Sequence, residues 1–256
     1  MTGLTVSRRQ LHLLSRQTGA NDWSFPFRAP QWPWRSAEEQ SRAELAVRRE
    51  LESAGLLVPG GDGTWQADPL LGAAAVLLGS WTRSADLVYH APEGTVVAAV
   101  YSDGTHGVRV VGADIASGED LRLDLTDPVE PFGALLDTVP DRPAGSSAPV
   151  RVPAREGALS ADGPTTRRAT EDLRIVRTLI ESGAGMGRIG ASARSAPGAR
   201  KHRCPRLVAF VDSSSVHVGG RYELSHGGGY ATLAPAGRTA LINAAHRMLA
   251  DTSVAA

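Results

Sequence analysis

The stretch from Gly187 to Ala250 constrains this chain most. It opens with Gly187-Arg188-Ile189-Gly190-Ala191, passes through a basic connector without acids, and resumes as Pro205-Arg206-Leu207-Val208-Ala209-Phe210-Val211-Asp212. Val216-His217-Val218, Gly220-Arg221-Tyr222 and Tyr230-Ala231-Thr232-Leu233-Ala234-Pro235 follow. Short β-branched and aromatic runs parted by Gly, Ser and Pro read as strands, and links this short make neighbours antiparallel. The pattern predicts four strands in a meander, then a helix with Pro235 near its first turn. Leu241, Ala244, Ala245, Met248 and Leu249 give that helix one apolar stripe.

An earlier stretch has the same order. Asp68-Pro69 starts an apolar helix through Leu70, Leu71, Ala74, Leu77 and Leu78. Strand-like runs follow at Asp86–His90, Thr95–Tyr101, Gly107–Ala113 and Leu121–Leu125, parted by turn residues such as Pro92-Glu93-Gly94 and Ser102-Asp103-Gly104. A helix is expected near Pro131–Thr138, a linker over the Pro-, Gly- and Ser-rich residues 140–149, an edge strand at Val150–Pro153, and a helix over about Thr166–Glu181 with Leu173, Val176, Leu179 and Ile180 inward. Helix, four strands, helix thus occurs twice. The reading is an α+β fold spanning 1–256 as one unit. Its pseudo-symmetric halves, about 1–150 and 151–256, share a central antiparallel sheet with helices on one face. Joining the two sheets removes two exposed edges.

The N-terminal region is less regular. Residues 4–17 fit a strand and a short helix. The span from Trp23 to Trp34 holds three Trp, two Phe and prolines at 26, 30 and 33, which favour extended backbone. It reads as an arm laid on the protein's own helices, with docking to a partner as the alternative. Ser36-Ala37-Glu38-Glu39 is a helix start: Ser36 can cap, Glu39 can complete the box, and acids fill the first turn. Leu45, Val47, Leu51 and Ala54 supply its stripe and Gly55 its end.

The search for chemistry returns little. Lys+Arg and Asp+Glu both total 27, so no global field favours nucleic acid. The one cysteine, Cys204, excludes an internal disulfide and fits a reducing compartment. The N-terminal residues show no apolar leader core, and the longest apolar run, near Leu70–Leu78, is too short to span a bilayer. Gly185-Met186-Gly187-Arg188-Ile189-Gly190 spells G-x-G-x-x-G, with Asp212 about 20 residues on. That would make a nucleotide-linked oxidoreductase if the glycines opened a helix facing a pyrophosphate. Pro197-Gly198 would break such a helix, and the residues before the glycines have helical rather than strand periodicity. No histidines fall at metal-ligand spacing, Ser213-Ser214-Ser215 lacks the glycines of a nucleophile elbow, and the acid pairs sit at helix starts or turns. The residues therefore predict no catalytic, cofactor or metal site. The connector between Arg188 and Arg206 lacks the aromatics of a nucleic-acid platform and reads as a solvated hairpin.

The Gly-Arg-Ile-Gly strand, the Arg/Lys-rich hairpin, Arg206–Asp212, Gly220-Arg221-Tyr222, Leu233-Ala234-Pro235 and the closing helix together resemble the EspG family. Further upstream the Glu-rich helix from Ser36 and Ala54-Gly55-Leu56 resemble it more loosely. The resemblance implies an actinobacterial, cytoplasmic, non-enzymatic chaperone of type VII (ESX) secretion. Such a chaperone keeps secreted substrates soluble, PE–PPE-like heterodimers among them, by covering the apolar tip of a helical bundle. Self-association into a homodimer and a generic scaffold role stay open. Partner contact is expected on the sheet face and hairpins, with Tyr89, Tyr101, Arg109, Arg122 and Phe210 as the outward candidates, since Tyr and Arg are favoured at interface centres.

Overall fold

The computed structural model describes residues 3–19, 23, 25–27, 36–61, 64–113, 120–153 and 167–254. Strand β1 (Leu4–Ser7) runs into α1 (Arg8–Gln17), where Ser7 and Gln10 form a reciprocal capping box. Helix α2 (Ala37–Ser53) starts as its sequence predicts: the Ser36 hydroxyl accepts from the Glu39 amide at 3.2 Å. Gly55 follows its end at φ +69°, a conformation that suits glycine. Of its expected stripe, Val47 and Leu51 are buried, whereas Leu45 and Ala54 face solvent. A small hairpin, β2 (Leu57–Pro59) and β3 (Trp65–Ala67), leads to α3 (Pro69–Ser80). Asp68 caps α3 by accepting from the Leu70 and Leu71 amides, and Pro69 occupies the first turn, where no amide is needed.

The meanders form where their turns predict. Strands β4 (Arg83–Ala91), β5 (Gly94–Ser102), β6 (Gly107–Gly112) and β7 (Asp120–Thr126) are followed by α4 (Pro131–Leu136). Then come β8 (Val150–Pro153), α5 (Arg167–Glu181), β9 (Gly183–Ala193), the two-residue β10 (His202–Arg203), β11 (Val208–Ser213), β12 (Gly220–Gly227), β13 (Tyr230–Pro235) and α6 (Arg238–Val254). Two expectations shift. Val216-His217-Val218 is a turn rather than a strand, with Val216 fully in solvent. Pro235 closes β13, paired with Tyr222, and α6 starts three residues later.

All but β2 and β3 join one eleven-stranded sheet in the order β1-β7-β6-β5-β4-β9-β11-β12-β13-β8, with β10 beside β9. Every named pair in it is antiparallel, and the seam between the meanders is β4 on β9, from Arg83↔Ala193 to His90↔Met186. Read outward from that seam, both directions give the same plan. Three hairpin-linked strands follow the seam strand, and the strand that entered the half closes the edge.

Helices cover both faces, not one as the sequence suggested. On β5, Val97, Ala99 and Tyr101 pack with α1–α3, while Ala98 and Val100 pack with α4 and α6 on the other side. The register carries the first face across the seam: Val88 pairs Arg188, which pairs Ala209, and Val211 on that same side packs under α5. So α1–α3 and α5 share one face and α4 and α6 share the other. Alternate strand residues point to opposite faces, so apolar runs such as Val96–Tyr101 feed two cores at once.

Gly185, Gly187 and Gly190 lie inside β9, between two antiparallel neighbours. They open no helix, which removes the dinucleotide reading. Their role is steric. A Cβ on Gly185 would lie inside the Tyr89 ring and one on Gly187 inside the Phe210 ring. Gly187→Ala is therefore expected to cost about 1–3 kcal/mol by overpacking. Combined with Phe210→Ala it should cost less than the sum of the two changes, because the methyl then enters the vacated space. Urea unfolding of the two single variants and the double checks this.

Candidate partner-binding surface

Four of the five residues expected to face outward do not. Tyr89, Tyr101 and Phe210 are each at most 1% exposed. Tyr101 packs among α1–α3 beside Trp81, and Tyr89 and Phe210 stack at 6.0 Å under the opposite helices. The period-two pattern separates the faces of each strand, but both faces are covered here, so large amphipathic rings are as well placed in a core as at an interface. Arg109 is largely buried, donating to Asp124 at 2.9 Å and to the Ala134 carbonyl at 2.9 Å. Arg122, 60% exposed and 3.3 Å from Asp124, is the one candidate that faces solvent.

The buried polar groups are mostly structural, and the sequence reading overlooked them. Asp212 follows Phe210 at strand period and so points inward with it. Its direct cross-strand neighbour is Arg221. The two form a bidentate pair of 2.6 and 2.8 Å, with exposures of 0% and 1%. Tyr89 reaches over the bare glycines of β9 to donate to Asp212 at 3.0 Å. Arg221 also lies over the Phe210 ring and donates to the Pro140 carbonyl, while its backbone bonds Pro143 and Gly145. The segment expected to be a linker, 140–149, is thus fastened to β12. A charged residue at an inward position of an apolar strand was the available signal, since a buried acid demands a partner.

A second pair, Asp86 with Arg203 at 2.7 and 2.9 Å, sits over Gly190. Burial pushes the Asp86 carboxyl up, against the pull of the Arg203 guanidinium. The Phe25 ring lies on Arg203 at 4.8 Å, while Trp23 and Phe27 are buried, Trp23 donating to Ser15 on α1. This part of the aromatic segment does lie on the protein itself; Trp32 and Trp34 fall outside the described residues.

Between α1–α3 and α5 the first sheet face is left open across β4, β9, β11 and β12. His90, Met186, Arg188 and His226 are exposed there, and Ala209 and Leu224 partly so. The strip is mixed in character, and at its β4 side the His90 imidazole lies 2.9 Å from the Thr95 hydroxyl. Among the described residues no group of three or more His, Cys, Asp or Glu can hold a metal ion.

The comparisons with known proteins bear on what it binds. A model of the EspG family matches residues 7–247, nearly the whole chain. The chain belongs to the EspG family. A search of curated proteins finds no match. Among solved structures, the type VII secretion chaperone EspG5 of Mycobacterium tuberculosis, in complex with a PE25–PPE41 dimer, has 16% identity and a TM-score of 0.65. The match covers 98% of this chain and 96% of that one, and at this identity it supports the fold. HtdX of the same organism matches at 9% identity over 91% of this chain and 97% of its own, but its TM-score of 0.15 carries no likeness. Among the described residues of this EspG-family chain, no helix is long and apolar enough to cross a membrane.

The Asp212 network gives two expected outcomes. Arg221→Met strands a buried carboxylate and should cost about 3–5 kcal/mol, whereas Arg122→Ala, at an exposed pair, should cost no more than about 1 kcal/mol; chemical denaturation of both variants checks this. The Tyr89 phenol is pushed up to about 12, first by burial and then by the Asp212 carboxylate beside it. The native state then holds this proton where the unfolded chain, ordinary at about 10, has lost it. The Tyr89 contribution should be intact below about pH 10 and fall away as pH rises toward about 12. Tyrosinate absorbance should show one ionisation near 12 in the native protein that Tyr89→Phe removes.

Proposed function

We propose that this EspG-family chain is a cytosolic, non-enzymatic chaperone of type VII secretion. It binds a PE–PPE-like helical heterodimer and keeps it soluble for export. The observation that carries this reading is the family match over 7–247 in a chain whose sheet has an open strip at its centre. Physically, a rigid sheet held by cores on both faces offers a fixed surface, and an apolar helical tip covered by it cannot aggregate. Side chains on the strip suit that role. Met186, 41% exposed, is a deformable contact, and Arg188 beside it keeps the surface soluble when empty. The complex found for EspG5 supports the class of substrate.

Co-expression with a PE–PPE-like pair from the same host tests the proposal. The three chains should elute together in size-exclusion chromatography, and the pair should precipitate when expressed without this chain. Met186→Asp should abolish co-elution while the melting temperature stays unchanged. A pair that remains soluble alone and passes through the column separately would overturn the chaperone reading. Co-elution undiminished by Met186→Asp would overturn the placement on the strip.

A further inference from the structure

At the start of β11, where residues 205–207 lead in, a groove of about 770 Å³ runs from the open strip round to α6 on the other face, lined by residues of β9, β11, β12 and α6. Its apolar lining includes Met186, Leu207, Leu224 and Met248, with Met186 and Leu207 41% and 47% exposed. Its charged lining is three arginines, Arg188, Arg206 and Arg247, against one acid, Glu223. All three arginines are exposed at the residue level. Among the described residues, Arg188 and Arg247 have no ion-pair partner.

This excess is local. The whole chain has equal numbers of acids and bases. The groove of about 480 Å³ beside α4 shows the usual arrangement: Arg109 and Arg122 both pair with Asp124, and Asp120 and Asp137 also line it. An incoming carboxylate that meets Arg188 or Arg247 gains charge-assisted bonds as water leaves. Arginine with methionine is also a pairing found at binding surfaces that accept varied apolar side chains.

We infer that this groove receives an acidic-flanked apolar segment of the protein substrate: Leu- or Phe-type side chains enter the trough, and Asp or Glu on either side meet Arg188 and Arg247. The inference deepens the chaperone reading and rests on it for the partner being a secreted protein. The charge complementarity supplies orientation and speeds encounter, while the apolar trough supplies most of the affinity.

The test uses the full chain and a fluorescent helical peptide with a Leu/Phe centre flanked by Asp and Glu, beside a counterpart carrying Asn and Gln in their place. Anisotropy should show the acidic peptide binding roughly tenfold more tightly, with a preference that shrinks as salt is raised. Arg188→Glu and Arg247→Glu should each weaken it by roughly tenfold or more. Arg122→Glu, in the compensated groove, should leave it unchanged. If a reversal lowers the melting temperature, Arg188→Gln and Arg247→Gln should still weaken binding in the same direction. Equal binding of the two peptides, binding of neither, or equal effects of Arg122→Glu and the groove reversals would overturn the inference. Co-elution of the PE–PPE-like pair that survives both groove reversals would remove the groove and leave the chaperone reading standing. The expected peptide pattern without any co-eluting pair would do the opposite.

Discussion

The Tyr89 and Phe210 rings lie across a strand that has no side chains beneath them, and the rest of the architecture follows from that contact. Gly185 and Gly187 leave the surface of β9 bare, so Tyr89 of β4 and Phe210 of β11 can close over it from either side. The Tyr89 hydroxyl then reaches Asp212, and Asp212 holds Arg221, which in turn fastens residues 140–145. Four strands and a connecting segment are tied through a few groups. The ion pair inside the network is costly to desolvate, and its hydrogen bonds offset that cost only because nearly every donor has a partner. Its main product is a unique registration of the two meanders.

That seam explains why one large sheet forms rather than two small ones. Each meander alone would expose a long apolar edge at β4 or β9. Pairing them removes both edges and places the short strands β1 and β8 outermost. The same order, repeated outward from the seam, sends α1–α3 and α5 to one face and α4 and α6 to the other. The helices on the first face belong to the outer parts of the halves, so the middle of that face stays bare. The open strip is a consequence of how the halves join, and neither half alone would create it.

The arginines divide by environment. Arg221 and Arg203 are engaged by internal carboxylates, Arg194 lies over Trp81 at 4.0 Å, and Arg109 is held under α4. Within the basic 188–206 region, Arg194 and Arg203 are thereby committed to structure. Arg188 and Arg247 have no ion-pair partner among the described residues.

Local signals were strong enough for the element plan. Ser36, Asp68 and the Gly-containing turns act through bonds between near neighbours in sequence, so the helix starts and hairpins were legible in the sequence, as was the antiparallel pairing of short-linked strands. Family membership was legible too, carried by the ordered runs from Gly187 to Ala250. The glycine fingerprint was equally visible and pointed elsewhere, because three glycines at that spacing serve a phosphate loop or a ring-covered strand alike. Only the fold distinguished the two, by placing Tyr89 and Phe210 above them. The sequence likewise marked Tyr89, Tyr101 and Phe210 as large amphipathic groups without saying which side was covered. Alternation assigns residues to two faces, but whether a helix lies on either face depends on contacts between residues about a hundred positions apart, such as Tyr89 and Asp212. Those long-range contacts decided the core, the open strip and the arginines left beside it.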